Sequence, residues 1–423
     1  MTTVTDALPR LLEASGGHAR EGGVADAVDG LVPPYVVAPT GPRATEAVAA
    51  VLRTAHADGL AVVVRGAGTK LGWGAPPRRL DVVLETGGLD ELVEHAAGDL
   101  VVVTGAGRRL EDLQRDLAGA GQCLAVDPAR QGTVGGLVAS ADAGPARLGR
   151  GPVRDLVIGA TVVRADGVVA RSGGKVVKNV AGYDLGKLLT GSFGTLGVLT
   201  RVALRLHPVA EAGAWVTVPV ASARHASALV QGVLHAQVVA DAAELDRPGE
   251  GRAQLAVRLD GIAPGVAARA EQTAALLGTG AQVSDTAPAW WGRDLDAAAH
   301  GVTLKASYEP ASLAVLLEAV DDASAAVGLP LDVRGSAAVG TLTVGLGGSG
   351  HGSDPAQVAA VLAALRGAAD RFGGAVVVRD APAAVRAAVD VWGPVRGLDL
   401  MRRVKERLDP TGVLAPGRFV GGI

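Results

Sequence analysis

The sequence predicts an α+β chain of two domains closed by a returning tail. Three observations carry this. At 423 residues the chain is longer than one hydrophobic core usually serves. Glycine-rich loops that leave strands are crowded between residues 66 and 197. From about residue 214 the pattern strand-helix-strand-strand-helix-strand runs twice in succession. The expected division is a helical lead-in at 1–35, a first domain at 36–210, a second at 211–396 and a tail at 397–423 that docks back on the first.

In the first half, Pro42 opens a helix with Ala44, Val48, Val51, Leu52 and Ala55 on one face, and Gly59 closes it. A strand at 60–65 runs into the loop Gly66-Ala67-Gly68-Thr69-Lys70-Leu71-Gly72. Strands at 80–84 and 100–104 flank a glycine-rich turn and a short polar segment. A helix at 109–119 turns Leu110, Leu113 and Leu117 inward and carries Glu111 and Asp112 in its first turn, where the helix dipole favours them. Strands at 156–164 and 167–171 make a hairpin around Asp166-Gly167, and a β-branched run from Val198 to Leu206 ends at His207-Pro208.

In the second half the first pass reads as strand 214–220, helix 222–238, strands 241–246 and 252–260, helix 264–278 and a weak strand near 281–284. The second pass reads as strand 301–307, helix 310–327, strands 330–334 and 337–346, helix 355–371 and strand 374–380. Each pass is a ferredoxin-like unit, and the two are expected to face each other. The tail holds an amphipathic helix at 398–408, then a compact turn ending in Pro416-Gly417-Arg418.

Composition narrows the function. Net charge is −3 with the cations scattered, which argues against nucleic acid. The one cysteine, Cys123, excludes an internal disulfide and a cysteine-rich metal or iron–sulfur site. None of the eight His pairs with another at metal-ligand spacing, so no metal site is expected. No window holds 18 consecutive apolar residues, and the N-terminal stretch lacks a basic start followed by an apolar run. A soluble cytoplasmic protein is the expectation, with any membrane association made through partner subunits. Lysine is scarce: of six in the chain, three, at 175, 178 and 187, fall within 173–208.

Three glycine-rich sites are candidates for delivering backbone amides to a large cofactor. The loop 65–74 adds Arg65 and Lys70 to a run of N–H groups that could cradle an anion. It has neither Walker A nor dinucleotide spacing, and on its own it reads first as an ordinary tight loop. At Thr133-Val134-Gly135-Gly136, with Ser140 beyond, a backbone could lie against a flat ring or a pyrophosphate; a strand-to-helix turn explains the same residues. The third site, Gly191–Gly197, spans four glycines and follows the block Lys178-Asn179…Tyr183-Asp184.

Taken together and in order, these sites resemble the FAD-binding domain of the vanillyl-alcohol oxidase/p-cresol methylhydroxylase type. The resemblance rests on Val64–Gly72, Asp127-Pro128, Thr133–Gly136, Arg154–Gly159 and Gly191–Thr200, and it covers about 36–208 plus the tail. It implies a two-subdomain FAD-binding domain followed by an α+β cap domain. Within the family, the Ala143-Gly144-Pro145 stretch, the 175–185 block and the tail are most similar to the FAD-binding subunit of glycolate oxidase.

The resemblance implies noncovalent FAD, because Thr69 stands where covalent relatives have His. It assigns Arg65, Gly66, Ala67, Gly68, Thr69, Lys70 and Leu71 to the pyrophosphate. Pro128, Thr133, Val134, Gly135, Gly136 and Ser140 would lie along pyrophosphate and flavin. Ile158 and Val198 would meet the adenine end, with Gly194 and Gly197 giving clearance. Lys178, Asn179 and Tyr183 are candidates near the ring, with the alternative that a Lys and a Tyr simply pin a loop, the reading that suits Tyr183 better, and His207 is the candidate base. Ala67 replaces a common Gly, Ala415 replaces the usual tail Asn, and the His-containing metal motif of related 2-hydroxy-acid dehydrogenases is absent. The implied activity is oxidation of a small 2-hydroxy acid within a complex that adds a homologous flavoprotein and an iron–sulfur subunit. Two other readings stand beside it: a stand-alone dehydrogenase of D-lactate or another 2-hydroxy acid, and a flavin-holding assembly subunit without turnover.

Overall fold

The computed structural model describes residues 7–175, 184–295, 300–347 and 354–423. The first half is built on two sheets. In the smaller, Val62–Arg65 and Tyr35–Val37 both lie parallel to Val82–Glu85, and Ala19–Glu21 adds an antiparallel edge. Parallel neighbours need a crossover. Helix Ala44–Asp58 supplies it, burying Val48, Val51, Leu52 and Ala55 and ending at Gly59 in the left-handed region, as the periodicity predicts. The lead-in is only partly helical: helix Leu8–Ser15 is followed by the strand Ala19–Glu21, which covers an otherwise open sheet edge.

The second sheet is antiparallel, in the order Leu92–Ala96, Val101–Gly105, Val198–Arg205, Val157–Val163, Val169–Gly173. The β-branched run thus lies at its centre. The polar segment before Val101 is itself a strand, half-exposed along its length, which is why it lacks a strand's apolar alternation. Helix Leu110–Ala118 buries Leu110, Leu113 and Leu117 against this sheet's core.

The second half forms one antiparallel sheet of eight strands. Its order is Gln282–Ser284, Ala212–Val220, Ala253–Gly261, Ala242–Arg247, Leu331–Ser336, Thr341–Leu346, Val302–Ser307, Ala375–Asp380. Both β-α-β-β-α-β passes are present, but they do not face each other. They join edge to edge through Glu244↔Ser336, Leu245↔Gly335, Asp246↔Arg334 and Arg247↔Val333. The second strand of each pass would otherwise leave a row of unpaired amides, and the two satisfy each other.

Helices Ala223–His235, Ala263–Leu277, Leu313–Val327 and Pro355–Asp370 cover one face of this sheet over a continuous apolar core. Because strand side chains alternate, Leu304, Val333, Val344 and Val378 enter that core while Lys305, Arg334, Thr343 and Arg379 stand on the opposite face. That polar face looks toward the first half of the molecule.

The tail returns to the small parallel sheet, where Val62 N donates to Val413 O and Ala415 N to Val62 O. Lys405, buried on helix Leu398–Leu408, fixes it by donating to Thr195 O (2.8 Å), Asp409 Oδ2 (2.6 Å) and Leu414 O (2.9 Å). Ala415 has φ 43°, a left-handed value that Asn tolerates better than Ala.

Candidate functional site

The three glycine-rich sites converge on one cleft. Gly66, Ala67, Gly68, Thr69, Lys70 and Leu71 form one wall; Thr133, Gly135, Gly136 and Ser140 a second; Phe193, Gly194, Gly197 and Val198 a third. The loop needs Gly68, whose φ is 75°, whereas Ala67 is not among the residues with positive φ. The walls interlock: a Cβ on Gly66 would come within 2.3 Å of Thr133 Oγ1, and one on Gly135 within 2.8 Å of the Ala106 Cβ. The second site is a helix start, with Thr133 accepting from Gly136 N (3.1 Å) to cap Val134–Ser140.

Four residues expected in this cleft do not line it. The Arg65 guanidinium turns away to Asp26 (2.9 Å) and Glu85 (2.5 Å). Val134 is fully buried in the core beneath its helix, and Pro128 is buried beside the cleft rather than within it. Ile158 O is taken by Gly174 N across the hairpin. His207 is not placed as a base: it pairs with Cys123 in a two-stranded ladder, lines neither of the cavities described here, and its buried Nε2 has no partner. Burial, then Arg205 and Arg150, lowers its pKa. Lys178, Asn179 and Tyr183 lie outside the described residues.

Arg418, read from sequence only as part of a docking turn, also lines the cleft. It donates to Leu71 O (2.6 Å) and Trp73 O (2.9 Å), so the tail holds the first loop in place. Its buried Nη1 is ion-paired with Asp29 Oδ2 at 3.5 Å and makes no hydrogen bond. Burial pushes the Arg418 pKa down to about 10, opposed by Asp29. Asp29 also pairs with Arg386, which donates to Gly74 O (3.0 Å), so lead-in, eight-stranded half and tail meet at the cleft's end.

A second cavity, of about 190 Å³, adjoins the first, and Ser140 and Phe193 line both. Phe193 has φ 55° and packs against Trp392 (5.3 Å between ring centroids) and Phe419 (5.7 Å). A left-handed Phe is strained, and here it forms the partition between two cavities. One wall of the second cavity is the segment from Asp142 to Arg147; the other is the polar face of the eight-stranded sheet.

Most charges on that face are spent. Arg379 pairs with Asp294 (2.7 Å), Arg334 with Asp246 (2.7 Å), and Asp142 lies 3.2 Å from Lys70. Lys305 is different: among the described residues it has no hydrogen-bond or ion-pair partner. Burial, then Arg379 and Arg147, pushes its pKa down to about 8. Glu244 goes the other way. Burial pushes its carboxyl up to about 8, although Ser336 donates a hydrogen bond to it. The face therefore holds a protonated acid and an unbalanced cation, an arrangement that receives an anion.

Residues 33–173 match the family described as FAD binding domain. An FAD-binding domain thus occupies residues 33–173. Its cofactor is FAD, and the cleft fits it: glycine walls that tolerate close backbone approach, and the buried Arg418 guanidinium, whose Nη1 makes no hydrogen bond. The chain is 38% identical over 159 residues to glycolate oxidase subunit GlcE of Escherichia coli (strain K12), covering 36% of this chain and 44% of that one. It thus spans under half the length of that relative. Against glycolate oxidase subunit GlcD of Bacillus subtilis (strain 168) it is 26% identical over 92% of this chain and 89% of that one. In fold it is similar to 4-ethylphenol oxidase from Gulosibacter chungangensis, with TM-score 0.73, 17% identity and coverage of 99% and 98%.

Sequence reasoning missed Lys305. The signal was available, because lysine scarcity marks 305 as much as it marks 175–187. In the run Val302–Ser307, one lysine amid apolar alternation still reads as an ordinary half-buried strand.

Proposed function

We propose that this chain oxidises a small 2-hydroxy acid to the 2-oxo acid, as the FAD-binding subunit of a glycolate oxidase-like complex. The observation that carries the reading is the unpartnered Lys305 in a cavity that shares Ser140 and Phe193 with the cofactor cleft. The division into an FAD domain at 36–210, a cap at 211–396 and a tail at 397–423 belongs to the same reading.

The loop 66–71, Thr133, Gly135, Gly136, Ser140 and Gly194–Val198 would hold FAD along the cleft, with Arg418 donating to it. FAD, when bound, supplies the acceptor for the two electrons that leave the alcohol. Lys305 would hold the substrate carboxylate, with Arg379 and Arg147 adding to the field, and Phe193 with Trp392 would close the cavity against water. The GlcD and GlcE names of the relatives support a multi-subunit assembly, and a third, iron–sulfur subunit is part of the proposal.

The test is anaerobic. The purified, FAD-loaded chain is mixed with glycolate or D-lactate and its flavin spectrum followed. Bleaching by either acid supports oxidation by this chain. Bleaching only after a homologous flavoprotein is added supports the subunit reading over the stand-alone one. A chain that takes up no FAD overturns both.

A further inference from the structure

We propose that Lys305 is a site of reversible covalent modification: its amine condenses with the carbonyl of a 2-oxo acid to form an imine. Resting on that reading for the class of acid, the product of the oxidation then blocks the cavity in which it forms.

Lys305 differs from the other lysines of the chain. Lys70 pairs with Asp142 (3.2 Å), Lys187 with Asp184 (3.3 Å), Lys405 with Asp409 (2.6 Å) and Lys175 with Glu94. Lys178 lies outside the described residues. A carboxylate partner holds the proton on an amine and so keeps its lone pair out of use. Lys305 has no such partner among the described residues. It stands between Thr343 and Val377 on a strand inside the sheet, and its half-buried side chain lines the cavity. The charges facing it are Arg379 on the neighbouring strand and, from the opposite wall, Arg147 and Asp142. Burial and the two arginines outweigh Asp142, which Lys70 already engages, and push its pKa down to about 8. An amine removed from water and set beside other cations is how lysine becomes a nucleophile toward carbonyls.

The cavity supplies what the reaction needs besides the amine. Exposed Gly292 and Arg293 are among its lining residues, so it reaches solvent and admits an acid made elsewhere as well as one made within it. Arg147 lines it with no ion-pair partner among the described residues, and can take a carboxylate while the neighbouring carbonyl meets Lys305. A 2-hydroxy acid offers the amine nothing to attack, because its C2 is saturated; it pairs with the protonated lysine through its carboxylate. Oxidation turns C2 into an electrophile. The neutral amine then forms a bond to C2 as the π pair of the carbonyl moves to oxygen, and one amine proton passes to that oxygen. The C2–O bond breaks, a C2–N double bond forms, and the hydroxyl leaves as water with the second amine proton. No electrons are gained or lost, and no further reactant is required. The imine fixes the product where the next substrate would sit, and water reverses it.

The experiment traps the imine. The FAD-loaded full-length chain is incubated at about pH 7 with glyoxylate and cyanoborohydride, which reduces an imine to a stable secondary amine, and the modified lysines are mapped by peptide mass spectrometry. Lowering the pKa from 10.5 to about 8 raises the neutral fraction at that pH by more than about a hundredfold. Allowing for the weaker nucleophile, Lys305 should gain a carboxymethyl group at least about tenfold faster than any other lysine. Acetaldehyde, which has the carbonyl without the carboxylate, should label it more slowly, and Arg147→Ala should erase that difference. Equal labelling across the lysines, or none at Lys305 in a chain that holds FAD, would overturn the proposal; both are read in the unmutated protein, so neither depends on how a variant folds. The two readings fail separately. If Lys305 is labelled and no hydroxy acid bleaches the flavin, the oxidation is wrong and the covalent site stands. If a hydroxy acid bleaches the flavin and Lys305 stays unlabelled, the reverse holds.

Discussion

The cofactor cleft and the cavity beside it are made of different materials. The cleft is backbone: glycines at 66, 68, 135, 136, 194 and 197, of which 66, 135 and 197 stand where a Cβ would come within 2.8 Å of a neighbour. The cavity is side chain: lysine, arginine, threonine and a neutral glutamate standing on a sheet whose other face is pure aliphatic core. A backbone site is sensitive to volume and nearly indifferent to charge, and a side-chain site on a rigid sheet is the reverse. Substitutions should therefore separate the two, with size changes emptying the cleft and charge changes disabling the cavity.

The largest separation is expected from Lys305→Met, which keeps the stem and removes the charge. Losing one partner of a desolvated ion pair costs about 2–5 kcal/mol, so kcat/KM for any 2-hydroxy acid should fall by two orders of magnitude or more. Flavin content per chain should not change. Loss of FAD from this variant would break the comparison, because the two sites would then be one unit. The charge also sets a pH dependence. With its pKa pushed down to about 8, Lys305 is protonated below that pH and neutral above it, so carboxylate affinity should fall as pH rises through about 8. Glu244 ionises in the same interval and weakens anion binding in the same direction. Measuring the profile in Glu244→Gln isolates the lysine, and Lys305→Met in that background should be flat.

This contrast also explains what the sequence disclosed. Glycine runs are local, and three of them in the right order pointed to one cofactor before any strand was paired. The strand and helix order of the second half was equally legible, because its periodicities are local too. Which strands meet was not: the joining of Glu244 to Ser336 and of Asp246 to Arg334 is a long-range register that no window contains. Until those pairs exist, Lys305 has no neighbours and looks like one polar residue in a strand. His207 misled for the same reason, since its setting depends on Cys123, far away in the chain. Arg65 misled because its competing partners, Asp26 and Glu85, arrive from two other elements.

A smaller effect is expected from the cleft's own glycines. Gly135 N donates to Ala106 O at 2.7 Å, and a Cβ there would meet that oxygen at 2.9 Å and the Ala106 Cβ at 2.8 Å. Backbone cannot yield as a flexible side chain does, so Gly135→Ala must push helix Val134–Ser140 off its strand. Overpacking of this kind costs about 1–3 kcal/mol, so FAD affinity should fall by roughly tenfold or more. Gly136→Ala is the matched control. Its nearest neighbour would be Thr133 Oγ1 at 3.1 Å, the hydroxyl that caps this helix, which has to give only a few tenths of an ångström. If both variants bind FAD alike, clearance against Ala106 is not what shapes the cleft.

The smallest effect concerns stability, and it probes the cavity with its ligand absent. Glu244 is held well above its ordinary pKa, at about 8, by burial. Below about pH 4.5 the carboxyl is protonated whether the chain is folded or not, and it costs nothing. Between about 4.5 and 8 the unfolded chain releases the proton and the folded chain keeps it, so stability is lost progressively across that window and levels off above it. Gln cannot ionise in either state and keeps the oxygen that accepts from Ser336. Glu244→Gln should therefore raise stability at pH 7 by about 1–2 kcal/mol, less than the full proton linkage because water follows a charge into a cavity. At pH 4.5 the gain should vanish, and denaturant midpoints at the two pH values check both statements. A gain of equal size at both would mean that Glu244 is destabilising through its packing rather than its charge. The acid would then have to be dropped from the account of how this face stays receptive to anions.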